Sequence, residues 1–150
     1  MKANIHIQAE DFDVGDEIAA LTEDQPETGA VASFVGLVRG DGGLSALTLE
    51  HYPGMTEREI GRIVDDAAAR WRLAGVTVIH RVGRLAVGER IVFVATSASH
   101  RGDAFAACQF LMDYLKTRAP FWKQEERAGA STWVEARSAD DAAAERWRKE

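Results

Sequence analysis

The chain has 150 residues, 46% hydrophobic and 28% charged, which is enough for one core of ordinary size and too apolar for a disordered chain. Its net charge of -6 and pI near 5.3 argue against a nonspecific nucleic-acid or anionic-membrane binder, because such partners need a broad cationic surface. Any anion site must therefore be local. No apolar run approaches the ~20 residues that span a bilayer, and the start Met1-Lys2-Ala3-Asn4-Ile5-His6 lacks the apolar centre of a signal peptide, so a cytoplasmic protein is expected. One cysteine, Cys108, allows neither an internal disulfide nor a multi-thiolate metal site, and no metal is expected. No repeat and no Pro/Gly/Ser linker divides the chain, so residues 1–150 are expected to form a single domain of α+β class.

Asn4 to Gln8 alternates weakly as a first strand, and Asp13 to Leu21 suits a short helix. After the loop Gln25-Pro26-Glu27-Thr28-Gly29, the small and β-branched residues from Ala30 to Arg39 predict a strand. Gly40-Asp41-Gly42-Gly43 then supplies a turn into a second strand, Ser45 to His51, and the pair is expected to form a hairpin with Arg39 at its tip. Thr56 as N-cap, Glu59 three residues later, and Met55 with Ile60 as a staple predict the start of a helix. Its apolar face is Ile60, Ile63, Val64, Ala67 and Trp71. Val76 to Val82 and Arg90 to Ala98 predict strands, the second apolar enough to lie centrally, and His80 is assigned to the first as a structural residue.

Ser99 is the expected N-cap of the next helix, which runs through Phe105, Cys108, Met112 and Leu115. The free amides of its first turn, with His100 and Arg101, make a natural seat for phosphate or carboxylate; the alternative is an ordinary surface imidazole near a cap. Cys108 falls in the apolar pattern and is expected to be a buried thiol. The helix must stop near Pro120, because proline lacks the amide donor and disfavours a helical residue before it. That break sets Lys116 and Lys123 on either side of a turn. Two readings stand for them: a solvated basic helix end that complements the macrodipole, or a pair of amines arranged for chemistry. The start and end of this helix lie ~22 Å apart at 1.5 Å per residue, so one straight helix cannot bring both ends to one small pocket. Beyond the break, Phe121 to Glu126 and Ser131 to Ala136 are expected to pair as a hairpin. Core packing is favoured for Phe121, Trp122 and Trp133, with partner contact as the alternative. Ser138 to Glu150 predicts a charged, peripheral helix.

Four segments carry a resemblance: Leu47-Thr48-Leu49-Glu50-His51-Tyr52-Pro53-Gly54-Met55-Thr56-Glu57, Val78-Ile79-His80-Arg81-Val82-Gly83, Ser99-His100-Arg101, and Met112 through Lys123, which reads MDYLKTRAPFWK. In order and spacing they resemble the large, catalytic-subunit family of molybdopterin synthase, over nearly the whole chain. The resemblance implies an α/β hammerhead-type fold with an additional small antiparallel β subdomain. It implies a homodimer within a heterotetramer, each large subunit binding a small ubiquitin-like sulfur-carrier subunit whose C-terminal Gly-Gly bears a thiocarboxylate. The implied reaction is sulfur transfer, two sulfurs entering cyclic pyranopterin monophosphate to give molybdopterin for the molybdenum cofactor, with no cofactor of the large subunit's own.

By the same resemblance Lys116 and Lys123 are the catalytic residues, Lys116 foremost and Lys123 its neighbour in the pocket. The substrate contacts are Leu37, Val38, Arg39, His100, Arg101, Lys116, Lys123, Gln124, Glu125 and Arg137. A lysine that shuttles protons works best beside other cations, and Lys123, Arg118 and Arg39 are expected to supply them. His100 and Arg101 are expected to reach the pocket from the other protomer. Two departures from the family pattern bear on affinity: the loop Gly40 to Leu44 is short, and Leu37 stands where a lysine is common. A docking module without catalysis and an unrelated phosphate-binding enzyme using the Ser99-His100-Arg101 turn are the competing classes.

Overall fold

The computed structural model describes residues 1–128, 130–134 and 138–148. In chain order its elements are β1 (Lys2–Gln8), α1 (Val14–Thr22), β2 (Ala30–Leu37), β3 (Leu44–His51), α2 (Met55–Arg70), β4 (Gly75–Arg81), β5 (Gly83–Ala86), β6 (Arg90–Ala98), α3 (Arg101–Thr117), β7 (Phe121–Arg127), β8 (Ala130–Val134) and α4 (Ser138–Glu145). The strands form two four-stranded sheets, ordered β1-β4-β6-β2 and β5-β3-β7-β8. The first mixes a parallel β1–β4 pair with antiparallel neighbours, and the second is antiparallel throughout. This is the mixed α+β, hammerhead-plus-β-subdomain architecture expected.

Strand alternation decides what each face of the first sheet buries. Val76, Val78, Val92 and Val94 pack under α2 and α3 with Ile60, Ile63, Val64, Phe110 and Leu111. Ile79, Phe93 and Ala95 face the other way, onto Phe12 and Leu21 around α1. A third cluster, Val38, Leu47, Leu49 and Leu85, lies at the junction with the second sheet, with Ile91 and Phe121 against it. Arg81 secures that junction from its buried position. Its guanidinium donates to the Ala9 carbonyl (3.1 and 3.0 Å) and the Arg90 carbonyl (2.9 Å), and pairs with Glu89 at 3.4 Å.

Several expectations change. The predicted Ala30–His51 hairpin does not form: β2 pairs with β6, from Ala30↔Ala98 to Leu37↔Arg90, while β3 pairs with β5 and β7 in the other sheet. A short 3-10 turn at Asp41–Gly43 redirects the chain between sheets. Gly42 there adopts a φ of +62°, and Arg127 Nη1 holds the Asp41 and Gly42 carbonyls at 2.9 and 2.6 Å. The N-cap of α2 is Gly54, whose N–H donates to Glu57 at 2.8 Å, and not Thr56 with Glu59. Thr56 is fully buried; its Oγ1 accepts from the Tyr52 N–H and donates to the Pro120 carbonyl, both at 3.1 Å, so it binds the break after α3 instead of capping a helix.

His100, not Ser99, is the N-cap of α3, and its side chain makes no capping bond. Trp71 ends α2 in extended geometry and stacks edge-on with Phe110 and Trp147. The C-terminal segment is not peripheral. Ala144 is buried, and Trp147 packs on Trp71 and Phe110 while its indole N–H donates to Asp113 at 2.7 Å. The hairpin of β7 and β8 forms as expected, although its predicted last residues, 135 and 136, lie outside the described residues. Trp122 and Trp133 are not core: they are 46% and 53% exposed, with Trp122 packed edge-on against both Tyr52 and Trp133 on the outer face, because Phe121, Lys123 and Glu125 take the inward positions of β7.

Candidate active site

A cavity of about 750 Å³ opens where the two sheets meet, and the chain reversal at Pro120 builds one wall of it. Helix α3 ends at Thr117, with the Arg118 N–H closing onto the Tyr114 carbonyl at 2.7 Å, and β7 begins at Phe121. Lys116 therefore reaches the cavity from a helix end and Lys123 from a strand of the second sheet. Lys123 and Glu125 line it together because they alternate onto one face of β7, and Gln124, on the opposite face, does not.

The opposite wall is the end of β2. Val38 is buried, its N–H donating to the Glu89 carbonyl (2.9 Å) and its carbonyl accepting from the Gly88 N–H (2.8 Å). This anchor fixes Leu37 and Arg39 on the rim. Arg39 pairs with Asp41 at 3.2 Å, with both side chains largely exposed. Two carboxylates, Asp140 and Glu125, also line the cavity, and Arg127 pairs with the latter at 3.2 Å.

Leu37, Val38, Arg39, Lys116, Lys123 and Glu125 are thus brought to one place. His100 and Arg101 are not: both are exposed at the far end of α3, as the length of that helix requires. Arg137 lies outside the described residues. Arg118, expected beside the lysines, instead lies along α2. Its Nη2 pairs with Glu59 at 2.9 Å and its Nη1 with Asp66 at 3.2 Å, and its guanidinium sits 5.2 Å from the Tyr114 ring centroid. Burial pushes the Glu59 carboxyl up, but hydrogen bonds from Arg62 and Arg118 outweigh it and hold the group below its ordinary range. The role of Arg118 is to fix the end of α3.

Sequence reasoning missed His80. It follows Val76 and Val78 on the same face of β4, and where that apolar face runs out it lines the cavity. Its ring stacks on Phe121, 3.9 Å between centroids and 20° between planes, and its Nδ1 lies 2.9 Å from the Arg81 carbonyl. Burial, then the charges of Lys123 and Lys116, push its pKa down to about 4, against a raising effect of the Arg81 carbonyl. The available signal was a lone imidazole at the glycine-bounded end of an otherwise apolar strand. Cys108 is buried as expected, and burial pushes its thiol up to about 11. Among the described residues no cluster of His, Cys, Asp and Glu is arranged to hold a metal, and no helix is long and apolar enough to cross a membrane.

The chain is similar to known proteins in sequence and in fold. The family model described as "MoaE protein" matches residues 7–118. A relative from Mesorhizobium japonicum named "Molybdopterin synthase catalytic subunit" is 57% identical over 147 residues, covering 96% of this chain and 92% of its own. The solved structure of a molybdopterin biosynthesis MoaE protein from Burkholderia ambifaria superposes with a TM-score of 0.86 at 54% identity, covering 99% of both chains. At 19% identity, a Helicobacter pylori structure described as a complex of subunits 1 and 2 of molybdopterin-converting factor shares the fold, with a TM-score of 0.73 over 90% of this chain and 91% of that one.

Proposed function

The chain belongs to the MoaE family, whose relatives are catalytic subunits of molybdopterin synthase, and we propose that the cavity between its sheets is where sulfur enters the pterin precursor. The observation that carries this is the convergence of Lys116 and Lys123, from a helix end and a strand of the other sheet, on one cavity. A structural helix terminus has no reason to share a chamber with a second lysine beyond a proline break. The substrate is cyclic pyranopterin monophosphate. The sulfur donor is the C-terminal Gly-Gly thiocarboxylate of a small ubiquitin-like subunit, and two such transfers build the dithiolene.

The large subunit contributes no sulfur of its own, since a buried thiol held protonated makes a poor carrier. Its work is positioning and proton transfer. Lys116 moves protons while the thiocarboxylate sulfur attacks the pterin side chain and the cyclic phosphate opens; water then cleaves the acyl carbon–sulfur bond of the resulting thioester, leaving the sulfur on the pterin and the small subunit with an ordinary C-terminal carboxylate. Lys123 and Arg39 hold the phosphate by charge-assisted hydrogen bonds. His100 and Arg101 complete the site from the second protomer of a homodimer, because the far end of α3 cannot fold back on its own pocket. Two small subunits on that homodimer make a heterotetramer working in the cytoplasm.

The test is to incubate the protein with cyclic pyranopterin monophosphate and the thiocarboxylated small subunit and to look for dithiolene product by mass spectrometry, beside a Lys116→Ala control. Product from the unaltered protein alone supports both activity and assignment. Product from both proteins removes Lys116 from catalysis. Product from neither, with partner binding verified, makes the chain a docking module.

A further inference from the structure

The cavity is rich in donors that carry positive charge, and His80 differs from them in kind. A carbonyl oxygen can only accept, so the 2.9 Å contact with the Arg81 carbonyl places the ring proton on Nδ1. In the neutral ring Nε2 is then a bare lone pair on the opposite edge. Among the described residues that atom has no hydrogen-bond partner. Nor is it sealed off: among the described residues the side-chain polar atom that is both fully buried and unpartnered is Thr28 Oγ1. Since His80 lines the cavity, its lone pair opens onto it. The Phe121 stack fixes the plane of the ring, and the Arg81 bond fixes its rotation.

The groups around His80 decide what this lone pair does. Lys116 on α3, Lys123 and Glu125 on β7, Asp140 on α4 and Arg39 with Asp41 after β2 line the same cavity, and His51 on β3 sits in register with Phe121. Proton transfer from a lysine is the obvious role, and magnitudes reject it. Burial, with the charges of Lys123 and Lys116, pushes the pKa of its conjugate acid down to about 4, so at neutral pH the ring carries no second proton. A neutral, fixed hydrogen-bond acceptor remains.

We propose that His80 is a specificity-determining residue of the pocket, its Nε2 accepting a hydrogen bond from an N–H donor on the substrate's heterocycle. This rests on the synthase reading above and divides the chamber by chemistry. Cationic donors take the anionic end of the substrate, and one neutral acceptor takes the donor edge of its ring. A ligand that offers an acceptor at that point would meet lone pair against lone pair.

The experiment uses ¹⁵N-histidine-labelled protein in complex with its small subunit, with cyclic pyranopterin monophosphate as the probe, together with steady-state kinetics of His80→Phe and His80→Asn. In the free complex Nε2 should resonate as an unprotonated nitrogen, and saturating substrate should shift it upfield as it accepts a hydrogen bond. The phenylalanine variant keeps a ring to stack on Phe121, and the asparagine variant keeps a donor for the Arg81 carbonyl. Both should raise KM roughly tenfold or more, since a donor of the bound substrate is left unpaired, with kcat changed less. An Nε2 resonance unmoved by saturating substrate, in a complex that turns over and is disabled by Lys116→Ala, overturns the His80 assignment and leaves the activity standing. A complex that neither binds nor converts the pterin overturns the activity, and this inference with it.

Discussion

His80 and Phe121 stack at 3.9 Å, and this contact joins β4 of the first sheet to β7 of the second. One ring belongs to the framework that α2 and α3 cover, and the other opens the strand that carries Lys123. The cavity exists because the two sheets are tied here, and the tie sets a pH dependence. With a folded pKa near 4 and an unfolded value of 6.5, His80 is neutral in the native state while the unfolded chain takes up its proton first. Stability is therefore intact above about pH 6.5 and falls as the pH drops toward 4, by about 1.4 kcal/mol for each unit crossed. Urea unfolding from pH 7 to 4.5 should show this slope, and His80→Phe should flatten it. An equal slope in the variant would assign the effect to other groups.

Lys116→Ala should lower turnover by about 10² to 10⁴, the range for a lost proton-transfer group, and leave the affinity for the small subunit unchanged. Lys123→Ala should act mainly on KM, because its proposed role is to hold the phosphate. Arg39, already paired with Asp41 on the rim, should give a smaller KM effect when replaced by alanine. Steady-state kinetics with a pull-down of the small subunit separates the three, and an equal kcat loss at Arg39 would contradict the division.

Arg118 bears on the site only through α2. Replacing it by alanine removes two ion pairs, leaves the partly buried Glu59 with Arg62 alone, and should cost about 1–3 kcal/mol. Burial, the largest influence on Glu59, then acts with less opposition, so the carboxyl should titrate higher than in the parent. The native pair stabilises the fold above the ordinary Glu range, and its contribution is lost as the pH falls through the lowered folded value. A ¹³C-carboxyl titration reads the change at Glu59 directly. An unmoved Glu59 would mean that Arg118 does not anchor the helix.

How much of this was legible in the sequence depended on the range of the interactions. Helix α2 and strand β6 were readable because their apolar periodicity is local and strong, and the Pro120 break because proline chemistry is local too. The cap of α2 was misplaced because the Thr56 hydroxyl is engaged by Tyr52 and Pro120, a partner 64 residues on. The hairpin failed for the same reason: a glycine-rich turn between two strand-like runs signals a hairpin, but β2 buries Ala32 against β6 and leaves β3 to the other sheet. His80 gave almost no signal, since its meaning comes from Phe121 and two lysines that only the fold delivers. Lys116 and Lys123 stood out because the proline break between them is written in the chain.

Thr56 offers a test of the tie between α2 and that break. Thr56→Val keeps the shape and deletes both hydrogen bonds, leaving the Tyr52 N–H and the Pro120 carbonyl without their partner. The cost should be about 2 kcal/mol, or a Tm lower by ~4–8 °C for a chain of this size. Calorimetry measures it, and a Tm within a degree of the parent would show that water replaces the hydroxyl at no cost.

Cys108 decides whether the large subunit handles sulfur itself. The thiol is 7% exposed, its weak contact to the Val94 carbonyl is 3.9 Å, and burial pushes it up to about 11. At neutral pH it should therefore react with alkylating reagents at least ~100-fold more slowly than a free thiol. Cys108→Ala conserves the apolar surroundings and should retain full product formation from the thiocarboxylated small subunit. Serine would be a poorer control, because its hydroxyl would need a hydrogen-bond partner that this face of the core supplies only weakly. A thioester between Cys108 and the C-terminal carboxyl of the small subunit trapped by mass spectrometry during turnover, or loss of product in the alanine variant with its Tm preserved, would place the cysteine on the sulfur path and refute the division of labour in which one subunit carries sulfur and the other holds and protonates the pterin.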